Sequence, residues 1–369
     1  VRANIGTVGN QNFQLSQIMT LYNFLKMYDG VMGAEIMSIA NPELKWQTTL
    51  NRNIGLEFSL LQGLVNLDFN YYSNITKNNL TDIAILPSTG FSTYKANMGK
   101  VRNQGYEFSL SITPIKKNGW IVNAFVNGAH NKNKLLNISD ALRDYNEVIK
   151  ENQTAHLNYA GYTQLERIFL FEEGQSLNSI FAVRSMGIDP GTGQEIFVTA
   201  DGVQTFQWNA ADQVVVGNTE PTLKGYFGLN VDYKRWSFGA NFQYSFGADR
   251  YNKTLYEKIE GGNFAQNADR RALTQRWTKP GDVAKYRGYG NTSQLKPTSR
   301  FVQKDDFLSM TSARLSYTLN ANDLQALGIS LLKFTLSTND LFYVSTIKQE
   351  RGLSYPFART FYFSLQANF

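Results

Sequence analysis

A chain of 369 residues, 42% apolar and 18% charged, carries enough hydrophobic surface to fold, which excludes a disordered polymer. No run of about 18 or more apolar residues occurs, which excludes a transmembrane helix, and the lack of cysteine excludes disulfides, thiolate metal sites and cysteine nucleophiles. Lys and Arg outnumber Asp and Glu by 36 to 30, but they lie scattered along the sequence in no stripe, so the net charge of +6 leaves no nucleic-acid footprint.

The chain opens on Val1-Arg2-Ala3-Asn4-Ile5-Gly6, which reads as the inside of a strand without a signal peptide, so a fragment or mature-chain piece is expected. Residues 10–43, with Met27, Tyr28, Gly30 and Gly33, read as a polar, glycine-punctuated loop without steady periodicity. From Leu44 a long strand develops in which Ile54, Leu56, Phe58 and Leu60 alternate with Gly55, Glu57 and Ser59. After the Gln62-Gly63 turn, Val65, Leu67, Phe69 and Tyr71 oppose Asn66, Asp68, Asn70 and Tyr72. Residues 81–93 read as a loop around Pro87 and Gly90, and the pattern resumes near Tyr94.

Tyr106, Phe108, Leu110 and Ile112 next alternate with Glu107, Ser109, Ser111 and Thr113, and Lys116-Lys117-Asn118-Gly119 turns the chain. Trp120, Val122, Ala124 and Val126 then oppose Ile121, Asn123, Phe125 and Asn127. Residues 131–221 form the longest irregular region, with short strands expected at 180–187 and 195–198 around Asp189-Pro190-Gly191-Thr192-Gly193. A hairpin follows: Phe227, Leu229, Val231 and Tyr233, then Trp236, Phe238, Ala240, Phe242, Tyr244 and Phe246, share one face. Asn230, Asp232, Asn241 and Gln243 share the other. After a second long loop at 248–299, Ala313, Leu315, Tyr317 and Leu319 oppose Ser312, Arg314, Ser316 and Thr318, and Leu332, Phe334 and Leu336 oppose Lys333, Thr335 and Ser337. The last stretch sets Phe361, Phe363, Leu365, Ala367 and Phe369 against Tyr362, Ser364, Gln366 and Asn368.

Any one of these segments fits a soluble sandwich as well as a lipid-facing barrel. Their succession separates the two. About ten strands alternate between short turns, near 62, 117, 235 and 323, and long connections, the asymmetry of a transmembrane barrel with short periplasmic turns and long extracellular loops. The fold class is therefore all-β, an antiparallel transmembrane β-barrel, with extracellular loops near 10–43, 131–221 and 248–299.

Six segments then carry a resemblance: Gly9-Asn10-Gln11, Asn41-Pro42-Glu43-Leu44-Lys45-Trp46, Leu86-Pro87-Ser88-Thr89-Gly90-Phe91, the run from Asn97-Met98-Gly99-Lys100 to Gly105-Tyr106-Glu107, Gly187-Ile188-Asp189-Pro190 and Thr298-Ser299-Arg300-Phe301-Val302. In this order the chain resembles the C-terminal part of SusC/RagA-type TonB-dependent outer-membrane transporters of Bacteroidota, over residues 1–369. The resemblance implies a plugged 22-stranded barrel that works with a SusD-like surface lipoprotein and the TonB complex to import an oligosaccharide or peptide. It also implies that plug and N-terminal strands lie outside this chain, and that Phe369 is the carboxyl-terminal aromatic of an assembly signal. A siderophore-type receptor and a soluble or surface β-rich glycan-binding module are the alternatives.

No residue pattern supports an enzyme, and no catalytic, cofactor or metal residue is assigned. His130 and His156 lack metal-ligand spacing and read as loop or rim residues. Glu172-Glu173 and Asp305-Asp306 read as solvated charge, since neighbours on a strand face opposite ways. Gly191 and Gly193, and Gly288 and Gly290, read as turn glycines. Phe91, Trp208, Phe264, Trp277 and Tyr289 either stack on ligand or only hold their loops together, so no single ligand residue is assigned.

Overall fold

The computed structural model describes the chain outside residues 12, 15–16, 85–90, 92, 141, 148–169, 263–268, 290–294, 321–323, 325–327 and 349–358. Ten successive strands form one antiparallel wall, to which the short strand Tyr343–Ser345 adds beside residues 307–309. They are β1 (Arg2–Asn10), β2 (Gln47–Leu60), β3 (Val65–Lys77), β4 (Gly99–Lys117), β5 (Trp120–Ile138), β6 (Leu223–Tyr233), β7 (Trp236–Phe246), β8 (Phe307–Asn320), β9 (Leu331–Asn339) and β10 (Thr360–Asn368). Each pairs with its neighbours in this order, while β1 and β10 do not pair with each other, so the wall does not close on itself.

Because strand side chains alternate, the register carries rows of like residues across the wall. Leu110, Val126, Phe227, Phe242 and Met310 are successive cross-strand partners, as are Val122, Val231, Phe238, Leu315, Leu336 and Phe363. One residue away the rows are polar: Asn123, Asn230, Gly239, Arg314 and Ser337 follow one another, as do Asp68, Ser109, Asn127, Tyr226, Gln243 and Ser309. The alternating sets of the sequence thus occupy opposite faces. No second sheet covers the apolar one among the described residues: Phe58 stays 47% exposed, Leu336 49% and Phe363 70%. A soluble sandwich would bury that face, so the exposure separates the two architectures.

Aromatic rings border the apolar band. At the short-turn end Trp120 stacks on Tyr233 at 4.1 Å and Trp236 meets Tyr317 at 4.7 Å; at the other end Tyr106 lies 6.2 Å from Phe69 and 5.1 Å from His130. From Trp120 to His130 the strand rises about 33 Å. At a tilt of about 40° this is about 25 Å along the barrel axis, the height of a transmembrane barrel's apolar band.

The tight turns follow from local chemistry. Asn118 and Gly119 adopt φ of 55° and 79°, the left-handed pair that a two-residue hairpin requires and that Asn-Gly adopts readily. The connection from β8 to β9, expected near 323, lies largely outside the described residues, but its flanking strands pair directly from Asn320 and Leu331. Every short connection lies at one end of the wall. The long connections lie at the other.

The long connections hold more structure than their sequence suggests. Within 10–43, Leu21–Tyr28 and Val31–Ser38 form a hairpin whose turn residues, Asp29 and Gly30, have φ of 48° and 76°. The Asp-Gly pair is the overlooked signal; uneven register along the hairpin hid its periodicity. Leu80–Ala84 and Thr93–Asn97 also pair, so residues 81–84 are strand and not loop. Residues 131–138 continue β5 beyond the apolar band, shortening the irregular region. The two expected excursion strands are Ser179–Ile188 and Glu195–Val198, and Gln204–Thr205 and Gln213–Asn218 complete their sheet.

Candidate functional site

The polar face forms a recess of about 520 Å³. Asp68, Asn70 and Glu107 line one side, Asn127, Tyr226 and Gln243 the other. Arg2 reaches across from β1 to Asp68 at 3.2 Å and Asn70 at 3.1 Å. Asn123 donates to Ser111 and Thr113, and Asn241 to Ser312. Carboxylates, amides and hydroxyls supply donors and acceptors without a nucleophile–base pair, which suits binding of hydroxyl or amide groups.

Flat packing on this wall depends on missing side chains. A Cβ on Gly128 would lie 2.5 Å from the Phe108 ring and 2.8 Å from the Tyr244 hydroxyl, and one on Gly225 would strike the Asn127 carbonyl. The Tyr244 hydroxyl donates to that carbonyl at 2.8 Å, so its ring lies across the glycine-lined strands β5 and β6.

Beyond the wall, the excursion sheet packs against residues 249–260 and 298–304. Ile180, Tyr251, Tyr256 and Phe301 make an apolar cluster. Beside it Arg300 bridges Glu195 and Glu260, each at 2.9 Å, and Arg287 meets Glu260 at 2.9 Å. Burial alone would push the Glu260 carboxyl up, but Arg300 and Arg287 together outweigh it and hold it below the ordinary range. Burial likewise opposes charge on Arg300, and the two glutamates reverse that and raise it. Buried Arg276 donates instead to four carbonyls, of Ile259, Glu260, Ala272 and Arg287, satisfying the ends of two short helical segments.

A folded carboxyl held below its unfolded value adds stability above the unfolded value and loses it as pH falls through the folded one. Acidification below about pH 4 is therefore expected to loosen this unit first through Glu260. Amide exchange of residues 179–218 at pH 7 and pH 3.5 checks this, since the rows of the wall carry no such buried network.

Several sequence expectations find their places here. Trp277 donates to the Pro190 carbonyl at 2.8 Å with its ring against Gly193, and Trp208 donates to Pro297 at 3.2 Å beneath Lys296. Both hold loops together. Tyr289 is 48% exposed with the Arg276 guanidinium over its ring. Phe91 is half-buried, while Phe264, Gly290 and His156 lie outside the described residues. His130 sits within β5 at the upper aromatic rim and bonds the Thr222 carbonyl through Nδ1.

Two expectations need correction. Asp305 is not solvated: it is 7% exposed and paired with Arg250, because the short ladder between Asp249–Tyr251 and Val302–Lys304 folds back over it. Asp306 accepts from the Gly247 amide, and Glu173 from Arg143 and the Ile138 amide, so these too are engaged. The basic residues are also not all scattered, since six of the 36 collect on the outer side of β2 to β5.

Residues 1–179 match the family described as TonB dependent receptor-like, beta-barrel. Over this part, just under half of the chain, the wall is similar to the β-barrel of TonB-dependent receptors. It is 27% identical over 381 residues to the TonB-dependent receptor P39 of Formosa agariphila, covering 93% of this chain and 36% of that protein. It is 25% identical over 241 residues to the TonB-dependent receptor SusC of Bacteroides thetaiotaomicron, covering 62% of this chain and 22% of that one. A chain of the RagAB peptide transporter structure superposes with a TM-score of 0.76 at 22% identity, covering 94% of this chain and 37% of that chain. The chain spans about a third of the length of the longest-matching curated relatives. The barrel is an outer-membrane structure, so its apolar face meets lipid and its polar face the lumen.

Proposed function

We propose that the receptor barrel imports an oligosaccharide or peptide across the outer membrane, energised through TonB, with a SusD-like lipoprotein at the outer end. The observation that carries this reading is the mostly polar luminal face, which runs from Asn123 and Asn230 through Asp68, Asn127 and Gln243 to the loop end and keeps only a few apolar groups such as Ile121 and Phe125. The SusC and RagAB likenesses support it, and no catalytic constellation is invoked. Native extraction followed by mass spectrometry of the co-purifying chains, with uptake of labelled oligosaccharides and peptides, tests it. A lipoprotein partner and TonB-dependent depletion of one substrate class are expected. Uptake of a ferric chelate without a lipoprotein would replace the reading with a siderophore receptor.

In this reading 10–43, 131–221 and 248–299 lie outside the cell and the turns near 62, 117, 235 and 323 lie in the periplasm, within one barrel domain whose plug and remaining strands belong to other parts of the protein. An impermeant thiol reagent on intact cells is expected to label Gly191→Cys and to spare Asn118→Cys. Labelling of the latter would invert the topology.

Phe369 follows β10 and is 90% exposed on the lipid side. It serves as an assembly signal. Loss of one interfacial ring costs only a few kcal/mol, on the order of its burial, whereas loss of a signal stops insertion whatever the final stability. Deletion of Phe369 is expected to deplete heat-modifiable barrel from the outer membrane, and wild-type amounts of inserted protein would leave only the interfacial role.

A further inference from the structure

We propose that the outer surface of β2 to β5, immediately above the aromatic belt, binds the phosphorylated headgroup of the outer-leaflet glycolipid. This rests on the outer-membrane placement of the barrel and not on the import reading. The lipid-facing register continues past Tyr71, Tyr106 and His130 into the rows that hold Arg52, Lys77, Lys100, Arg102, Lys132 and Lys134. Lys77 stands directly opposite Lys100, and Arg102 directly opposite Lys134.

Like charges in directly opposed positions destabilise a sheet unless something anionic lies over them. Among the described residues no carboxylate is paired with them. The same rows hold Thr48, Leu50, Ser73, Ile75 and Gln104 but no carboxylate. Glu173, at the top of β5, is taken up by Arg143, Asn137 and the Ile138 amide. Among the described residues none of the six makes an ion pair, and the Nε of Arg102 is buried without a hydrogen-bond partner. Arg52, Lys77, Lys132 and Lys134 are exposed.

Height and chemistry select the occupant. Lys132 lies two residues beyond His130, about 7 Å along the strand, which places the first cation at the headgroup level just outside the hydrocarbon. Acyl chains packed on Phe69, Tyr106 and Leu110 would bring their phosphates against this patch. Arg102 offers a planar fork and the lysines offer point charges, the two donor types that phosphate accepts.

The test uses the full receptor complex extracted in mild detergent. Native mass spectrometry follows binding of monophosphorylated lipid A and of its dephosphorylated form. The wild type is expected to hold the phosphorylated lipid at least tenfold more tightly than the combined variant Arg52→Gln, Lys77→Gln, Arg102→Gln, Lys132→Gln, and the dephosphorylated lipid equally weakly in both. Heat-modifiability reports folding. Should the combined variant fail to fold, Lys132→Gln with Lys134→Gln, both at exposed positions, is expected to show the same selective loss. The charge-preserving pair Arg102→Lys and Lys132→Arg should retain binding. Undiminished binding in the folded variant, or no preference for phosphate in the wild type, overturns the proposal. Loss of a protein chain from the variant complex with lipid retained also overturns it, and assigns the patch to an acidic protein.

Discussion

Arg300→Met is expected to cost the extracellular unit about 3 to 5 kcal/mol, because it leaves buried carboxylates facing each other without their shared cation. Glu195 would keep only the Thr298 hydroxyl, at 2.8 Å, and Glu260 only Arg287. The side chains of Glu195 and Glu260 are 4% and 0% exposed, so water offers no substitute. The damage is confined to the loops. Amide exchange protection of residues 179–218 and 249–304 should fall by two orders of magnitude or more, while β4 to β7 keep theirs. Replacing all four charged partners with apolar residues of matched volume is expected to restore most of the loss, since the cost lies in the stranded charges. Unchanged protection in Arg300→Met would mean that the apolar cluster around Phe301 alone holds the unit together.

Phe242→Arg should cost about 2 to 4 kcal/mol, whereas Asn241→Arg, one residue away, should cost little. Phe242 stacks on Phe227 at 4.8 Å and lies six residues above Trp236, about 15 Å up the barrel axis and so near the bilayer centre. A guanidinium there must leave water or drag it inward. Asn241 projects into the lumen beside Ser312, where an arginine stays solvated. Urea midpoints of the two variants refolded into bilayers measure the difference, and comparable losses would contradict the assigned faces.

The faces of the wall were legible in the sequence because a period of two needs no tertiary information. Phe238 and Asn241 fall on opposite sides from spacing alone, and register then carries the assignment from strand to strand. The loop end was less legible. Glu195 and Arg300 meet across 105 positions, and neither sits in a local pattern that announces the other. Asp305 looked like ordinary surface charge because its partner, Arg250, arrives through a ladder of three residues on each strand. The Asp29-Gly30 turn was a local signal, yet uneven register along its strands hid the hairpin behind it. The basic patch was hidden differently. Lys100 with Arg102 and Lys132 with Lys134 are spaced two apart, each pair on one face, but only pairing of β4 with β5 brings the pairs together.

The central claim is that β7 presents Phe238, Ala240 and Phe242 to lipid and Gly239, Asn241 and Gln243 to a water-filled lumen. Spin labels placed singly at residues 236–246 of the full receptor in bilayers test it most directly, through collision with oxygen, which concentrates in lipid, and with a polar nickel chelate, which does not. The barrel predicts that oxygen and nickel accessibility oscillate out of phase with a period of two, oxygen peaking at 238, 240 and 242. Oxygen maxima at 239, 241 and 243, or no alternation along the strand, would contradict it.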